Sequence, residues 1–407
     1  MKNFKELFES YRKGEVTPAE KEYIEAEIEK NELINDYLLE NDEDWDKEIL
    51  GEKAIDVARL KKQTSRKIMR MTLIPIGAVV CVGLLLFYLI IPGIQAMYDQ
   101  KYYNPTALVP LKVEGVPDDK VMFDFTVYAD LFIPGYFVNK VDVVKTGLGK
   151  YDLAIDFASK FSYSNDTATI ETLKINKGKN TAELEGFHDL TRLPYSFVEK
   201  AQPAVATYEL SSANERKSMI QENIAELKKL PDSSIVSAYV TFKEDQTIKE
   251  SLALMKPQNS EIDIAWLGIR NQTKNEQDKN RVILPIGLKV DNTVSYYTDQ
   301  PVSTKKYPNI INDDRSEKPA LLEKMFKSQV QYILDNPDIL AITAGNNTQG
   351  YDHTKQLKAV QDYINKQGIQ SYGGLVYGKP AELITLLQNE QVYSAHLEDA
   401  RLALFAK

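Results

Sequence analysis

The side chains that most often perform catalysis or bind metals are few and scattered in this chain. Its three histidines, His188, His353 and His396, lie far apart and show no metal-ligand spacing. A single cysteine, Cys81, excludes a disulfide framework and any multi-cysteine metal site. The sequence contains no Gly-x-Ser-x-Gly elbow, no phosphate-binding glycine loop and no dinucleotide fingerprint. We therefore expect no enzyme activity, no cofactor and no bound metal.

Two other groups of polar or aromatic residues are open to a ligand-binding interpretation. Asn312-Asp313-Asp314 is the best acidic cluster for a cation site, but it lacks the twelve-residue calcium-loop pattern and is typical of a solvated turn. The tyrosine pairs Tyr102-Tyr103 and Tyr296-Tyr297 fit strands that face either a core or a wall glycan, and the pattern does not separate these two.

The first sixty residues carry apolar side chains at helical spacing. Phe4, Leu7, Phe8 and Tyr11 fall at i, i+3, i+4 and i+7, which predicts one face of a short helix that ends at Gly14. A capping box at Thr17-Pro18-Ala19-Glu20 predicts the start of a second helix. Its apolar stripe comprises Ile24, Ile28, Ile34 and Leu38, with Tyr23 and Tyr37 beside it, and Trp45, Ile49 and Ile55 predict a third helix.

Three short helices give a small core, so these apolar residues either pack on one another or bind a partner. The acidity of the segment favours a basic partner: residues 1–58 hold 8 basic and 18 acidic side chains, a net charge of -10, within a chain of net charge -9. The residues that we predict to bind the partner are Phe4, Leu7, Phe8, Tyr11, Tyr23, Ile24, Ile28 and Leu38.

A membrane-spanning helix follows this acidic segment. No charged residue occurs from Met71 to Tyr98, which is long enough to cross the hydrocarbon layer, and Pro92-Gly93 marks the predicted exit. Residues 59–70 hold six basic and no acidic side chains. Basic flanks stay in the cytoplasm, so the N-terminus is predicted inside and the chain from Asp99 onwards outside. We interpret Cys81 as a small apolar residue within this span rather than a lipid-modification site.

The region beyond the span predicts an α+β fold with an antiparallel or mixed sheet. Residues 102–163 read as short strands and turns, including a strand at Val121–Tyr128 and breaks at Pro134-Gly135 and residues 147–149. Further on, the predicted strands are 235–242, 262–269 and 371–377. The predicted helices are 219–230, 249–255, a segment capped by Ser316 that ends at Asn336, 355–366 and 381–387.

The N-terminal residues resemble a known class of regulator. The run from Leu7 to Glu20, with a Tyr-x-x-Gly-Glu turn, is similar to the opening of bacterial anti-sigma domains. Many members carry a His-x3-Cys-x2-Cys zinc motif, whose positions correspond here to Glu27, Asn31 and Ile34. Asn and Ile are not zinc ligands, so the chain resembles the metal-free branch.

The outer region resembles the C-terminal domain of sigma factor regulators of the Firmicutes. The resemblance is carried by the runs Leu230–Phe242, Ile264–Gly268 and Tyr372–Leu383, in that order after a membrane span. It implies a membrane-anchored anti-sigma factor that sequesters an extracytoplasmic-function sigma factor from RNA polymerase and releases it on an envelope signal, by proteolysis or by conformational change. Its partners would be that sigma factor, the membrane and another envelope protein or wall component, without direct nucleic-acid binding.

The predicted organisation is a multi-domain protein in five segments. These are a small all-α cytoplasmic domain at 1–58, a basic juxtamembrane segment at 59–70, a transmembrane helix at 71–97, an extracellular strand-rich segment at 98–210 and an extracellular α+β domain at 211–407. The alternative function is a membrane-anchored wall-binding protein, envelope scaffold or enzyme whose cytoplasmic tail is incidental.

Overall fold

The structure is a computed structural model of the chain. It describes residues 4–49, 69, 74, 76–108, 119–159, 161, 169–181, 193–194, 197–198, 200, 213–271, 285–290, 303–311, 318–343 and 353–402. The predicted positions His188, Tyr296-Tyr297, Asn312-Asp313-Asp314, Ser316, Ile55 and most of the basic flank lie outside these residues. The chain divides into two compact units, Met1–Pro92 and Gly93–Lys407.

The first unit begins with two helices, α1 (Phe4–Arg12) and α2 (Pro18–Ile49), which contact each other. Gly14 lies between them with φ of +71°, a conformation that glycine adopts without steric cost. The prediction of a separate third helix around Trp45 and Ile49 is wrong, because α2 continues through both positions. Residues 36–49 contain no glycine or proline, so nothing in this stretch breaks the helix.

Helix α3 (Ile76–Lys101) is long and apolar enough to cross a membrane. It contains a π-helical turn at Leu86–Ile90, after which the Ile91 N–H donates to the Leu86 carbonyl. Pro92 follows at once, and the wider turn gives its ring room that a regular α-helical turn lacks. The helix therefore continues through Pro92-Gly93 as far as Lys101.

The second unit contains a four-stranded antiparallel sheet in the order β1-β2-β3-β4. Its strands are β1 (Tyr136–Gly147), β2 (Lys150–Ser159), β3 (Thr169–Asn176) and β4 (Lys179–Asn180). The predicted breaks are confirmed, since Gly135 and Gly149 have φ of +76° and +62° at the turns before β1 and β2. The first two strands are twelve and ten residues long, and so are longer than the sequence predicted.

A five-stranded sheet in the order β7-β6-β8-β5-β9 forms the second layer of strands, and every described pairing is antiparallel. The strands are β5 (Ser234–Thr247), β6 (Asp263–Ile269), β7 (Gly287–Lys289), β8 (Gln370–Gly378) and β9 (Val392–Leu402). The predicted strands 235–242, 262–269 and 371–377 are confirmed as β5, β6 and β8. The antiparallel arrangement agrees with the α+β prediction.

Seven further helices are described in the second unit. They are α4 (Lys120–Phe132), α5 (Ala213–Leu227), α6 (Ile248–Met255), α7 (Pro319–Asp335), α8 (Asp338–Thr343), α9 (His353–Gln367) and α10 (Pro380–Leu387). All helices predicted beyond residue 210 are confirmed, with shifts of a few residues at their ends. Lys318, rather than Ser316, is the N-cap residue of α7, and Pro319 occupies its first turn as predicted.

The prediction of a strand at Val121–Tyr128 is wrong, because these residues belong to helix α4. Every residue from Val121 to Phe132 is buried. A helix enclosed on all sides has no solvent-facing stripe, so its sequence shows no helical period. The polar residues Asp124 and Thr126, which created the apparent alternation, are buried in the protein instead of facing water.

A large hydrophobic core extends through the second unit. It includes Phe125 of α4, Leu153 of the four-stranded sheet and Val240 of the five-stranded sheet. The predicted segments 98–210 and 211–407 thus contribute to the same core. Close packing also explains Gly373 in β8, where a Cβ atom would stand 2.3 Å from the Val240 carbonyl oxygen of β5.

Candidate functional site

The α1–α2 hairpin brings most of the predicted partner-binding residues together. Its turn is fixed by the capping box that the sequence predicted: the Glu20 N–H donates to Thr17 Oγ1 at 3.4 Å, and the Glu20 carboxylate accepts from the Thr17 N–H at 2.9 Å. These bonds satisfy backbone groups that have no partner within the helix. Helix α2 therefore begins at a defined point relative to α1.

Four aromatic rings form a connected cluster on this hairpin. The ring centroids of Phe4 and Phe8 lie 6.2 Å apart, those of Phe8 and Tyr11 6.4 Å apart, and those of Phe4 and Tyr23 6.5 Å apart. Phe4, Phe8 and Tyr23 nevertheless remain 44%, 38% and 54% exposed. We call these four residues the aromatic cluster. It presents apolar surface to solvent, as partner-binding patches do.

The aliphatic residues of the predicted set are less accessible. Ile24 is fully buried, and Leu7 and Ile28 are half-buried. Leu38 lies on α2, but its side chain is outside the described part of the structure. Ile24 therefore stabilises the folded unit, whereas direct contact between Ile24 and a partner stays a prediction.

Acidic side chains lie on the same hairpin as the aromatic cluster. The Tyr11 hydroxyl donates to Glu25 Oε1 at 3.0 Å, and this bond raises the pKa of Tyr11 above its usual value. Glu29 and Glu32 on α2 are exposed. Over its length α2 carries 13 acidic and 3 basic residues. An apolar patch beside a strongly negative helix suits a partner with basic residues around an apolar pocket.

The positions of the zinc motif do not form a ligand set. Asn31 Nδ2 donates to the Glu27 carbonyl oxygen at 2.8 Å, Glu27 lies 3.4 Å from Lys30 Nζ, and Ile34 is exposed. Among the described residues no group of three or more His, Cys, Asp and Glu side chains could hold a metal ion. That the hairpin binds no metal in solution stays a prediction from the sequence.

The sequence-based selection missed a second exposed apolar patch on α2. Leu33, Ile34 and Tyr37 are 65%, 49% and 69% exposed and lie on adjacent turns. Ile34 belonged to the predicted apolar stripe and Tyr37 lay beside it, but neither was in the predicted binding set. Leu33 and Tyr37 have i, i+4 spacing, which places them on one face of α2. They also lie beyond the part of α2 that the nine-residue α1 can cover, and these two signals together could have identified the patch.

A surface cleft of about 490 Å³ in the second unit lies between α6 and α10. Two carboxylates line it, and both are bound to neighbouring groups of the protein. Glu250 accepts from the Thr247 N–H and hydroxyl at 2.9 and 2.7 Å, which lowers its pKa. Glu382 accepts from Ser260 Oγ at 2.7 Å and from the Glu261 N–H at 2.8 Å. These contacts stabilise loops and helix ends, and they provide no paired acid and base.

Comparison with known proteins finds a family match for the main part of the second unit. Residues 227–399 match the family model described as sigma factor regulator C-terminal. The match includes β5, β6 and β8, the strands that carried the resemblance in the sequence. No curated protein and no solved structure matches the chain. The likeness of the first twenty residues to anti-sigma domains stays a prediction.

Proposed function

We propose that this chain is a membrane-anchored anti-sigma factor. The α1–α2 hairpin would bind an extracytoplasmic-function sigma factor in the cytoplasm and keep it from RNA polymerase, and the second unit would release it on an envelope signal. The observation that carries the proposal is the match of residues 227–399 to the sigma factor regulator family, in a chain that also has a candidate membrane helix. This match implies a sigma factor as the partner.

The hairpin supports a role in that interaction. Phe4, Phe8 and Tyr23 supply exposed aromatic surface, which is the kind of side chain that most often anchors protein interfaces. The acidic residues of α2 would attract a basic partner and speed its association, in the same way as other charged interfaces. Burial of the aromatic cluster against the sigma factor would then provide the larger part of the affinity.

The first experiment measures binding by the full chain in detergent micelles. A sigma factor encoded beside this chain should co-purify with it, and Phe8→Ala with Tyr23→Ala should weaken the complex by ~1–4 kcal/mol, about ten-fold for each 1.4 kcal/mol. Leu108→Ala is the matched control, because Leu108 is 69% exposed but lies in the second unit. Circular dichroism of each variant separates lost contact from lost folding.

The outcomes divide the candidate functions. Unchanged affinity in a helical Phe8→Ala, Tyr23→Ala variant would remove the aromatic cluster from the interface. Absence of any bound sigma factor, together with binding of the chain to isolated wall material, would favour the alternative of a wall-binding or scaffold protein.

A second experiment tests the acidic face. Glu29 and Glu32 suit charge reversal better than Glu25, because Glu25 accepts from Tyr11 within the hairpin. Glu29→Lys with Glu32→Lys should slow association and flatten its dependence on salt, with a smaller change in dissociation. The Gln substitutions at both positions serve as the neutral control and should give an intermediate rate.

A further inference from the structure

The outer end of α3 carries two polar side chains on one face, and both reach a buried tyrosine of the four-stranded sheet. Gln95 and Asp99 are four residues apart, and Gln95 is only 6% exposed. Gln95 Nε2 donates to the Tyr151 hydroxyl at 2.9 Å, and that hydroxyl donates to Asp99 Oδ1 at 2.6 Å. Gln95 Nε2 also donates to Asp99 Oδ1. The three side chains form a closed hydrogen-bonded set.

The turn between β1 and β2 packs on the same part of the helix. The Gly149 N–H donates to Gln95 Oε1 at 3.4 Å, and a Cβ atom on Gly149 would stand 3.0 Å from the Tyr98 ring. The Lys177 N–H, from the next turn of the sheet, donates to the Gly149 carbonyl at 2.8 Å. The ammonium group of Lys177 lies 5.6 Å from the centre of the Tyr98 ring. Two turns of the sheet therefore hold the last turns of α3.

A second contact follows directly after the helix. The hydroxyl of Tyr103 donates to Asp124 Oδ2 of α4 at 2.9 Å, and the hydroxyl of Tyr332 in α7 donates to Asp124 Oδ1 at 2.6 Å. Asp124 is fully buried and Tyr103 is 3% exposed. Tyr332 belongs to residues 227–399, so a buried carboxylate joins the chain that leaves α3 to the family-matching region.

We propose that these contacts clamp the last turns of α3, which belong to the second unit, to the four-stranded sheet, so that a rearrangement of the sheet displaces the membrane helix directly. A glutamine side chain is costly to bury without partners, and here the partners are two side chains and a backbone amide of the same unit. A buried polar set of this kind has a defined geometry, whereas a flexible linker would dissipate the movement. The role of this clamp in signalling rests on the proposed function, but the clamp itself does not.

Amide hydrogen exchange of the full chain in lipid nanodiscs tests the clamp. Tyr151→Phe removes the hydroxyl that both helix residues bind, and exchange of the amides from residue 95 to 103 should become about 5- to 30-fold faster. Amides of β6 and β8 should keep their protection. Tyr102→Phe is the matched control, since Tyr102 directly follows α3, its ring packs on that of Tyr98, and its hydroxyl makes no described hydrogen bond.

A second variant distinguishes loss of the clamp from a general loss of folding in the sheet. Gln95→Met changes only the helix side of the clamp and should accelerate exchange at residues 95–103 to a similar extent. The fold-increase in exchange rate of the double variant should be smaller than the product of the two single fold-increases, because both substitutions remove the same interaction. Wild-type protection of residues 95–103 in both single variants would overturn the proposal. The exchange measurement uses no sigma factor. It therefore tests the clamp even if the proposed function is wrong.

Discussion

At the scale of single residues, Asp124 is a fully buried charged group with three polar partners. Its carboxylate accepts from the hydroxyls of Tyr103 and Tyr332 and lies 2.6 Å from Lys120 Nζ, inside a fully buried helix. Removing one partner from such a set leaves another buried polar group unsatisfied, which costs more than the bond itself contributed. The sequence offered no sign of this arrangement, because an aspartate between phenylalanines reads as the polar face of a strand.

We expect Asp124→Asn to lower the free energy of unfolding of the second unit by about 1–3 kcal/mol. An amide retains one acceptor oxygen, so one of the two tyrosine hydroxyls and the Lys120 ammonium lose their partner. The fluorescence of the buried Trp266 during urea unfolding measures the change, in full-length chain carrying Trp45→Phe. Asp142→Asn is the control, because Asp142 is exposed and pairs with Lys140 at the surface. Equal stability of both variants would contradict the expectation.

The same substitution should change how stability depends on pH. Burial raises the pKa of Asp124 above the ordinary value of 3.8, although Lys120 and the two hydroxyls oppose this shift. The folded state then holds the proton more tightly than the unfolded state, so the stabilising contribution is full at low pH and declines as pH rises through the folded pKa. The stability difference between wild type and Asp124→Asn should therefore be larger near pH 4 than near pH 7. A difference that is smaller near pH 4 would reverse the sign of the predicted pKa shift.

At the scale of elements, local sequence signals were sufficient to predict a helix or strand that has a distinct end or buries only one of its faces. Gly14, the Thr17–Glu20 capping box and Pro380 all lie where the sequence predicted helix boundaries. The failures have physical causes: α4 is buried all round, and α2 contains no residue that would break it near Trp45. Predictions from periodicity require one face in water.

The capping box of α2 gives the prediction that belongs to this scale. Thr17→Ala removes the hydroxyl that accepts from the Glu20 N–H, and it should destabilise the start of α2 by about 0.5–2 kcal/mol. Faster amide exchange at residues 19–22 would measure this effect. The control is Thr385→Ala, because the Thr385 hydroxyl bonds the Ala381 carbonyl within α10 and caps nothing. If both variants exchange like wild type, the capping box does not fix the hairpin turn.

The candidate site shows the limit of element-level prediction. The sequence placed eight apolar residues on one hairpin but did not separate Ile24, which is buried, from Phe4, Phe8 and Tyr23, which are exposed. Helical spacing shows on which face of a helix a residue lies. The short length of α1 decides which part of the apolar face of α2 it covers. Tertiary contacts such as those between Gln95 and Tyr151 join positions far apart in the chain and leave no local pattern.

At the scale of the whole molecule, charge is segregated along the chain. Residues 1–58 have a net charge of -10, residues 59–70 contain six basic side chains and no acidic one, and the remainder sums to -5. The basic segment immediately precedes the candidate membrane helix, and within about ten residues on the other side of the predicted span Lys101 is the one basic residue. Short basic flanks resist transfer across a membrane, whereas acidic residues contribute little to orientation.

This segregation predicts that the first unit lies in the cytoplasm and the second outside. Single-cysteine variants in a Cys81→Ser background test the orientation in intact cells with a membrane-impermeant maleimide. Thr146→Cys, at an exposed position near the end of β1, should be labelled, whereas Lys53→Cys should react only after the membrane is permeabilised. Replacement of the six basic residues of 59–70 by glutamine should produce a mixed population in which some Lys53→Cys chains react in intact cells, because the charge bias that sets the orientation is then lost. Labelling of Lys53→Cys but not Thr146→Cys in otherwise unchanged cells would place the hairpin outside, where no sigma factor is present, and would refute the proposed function together with the topology.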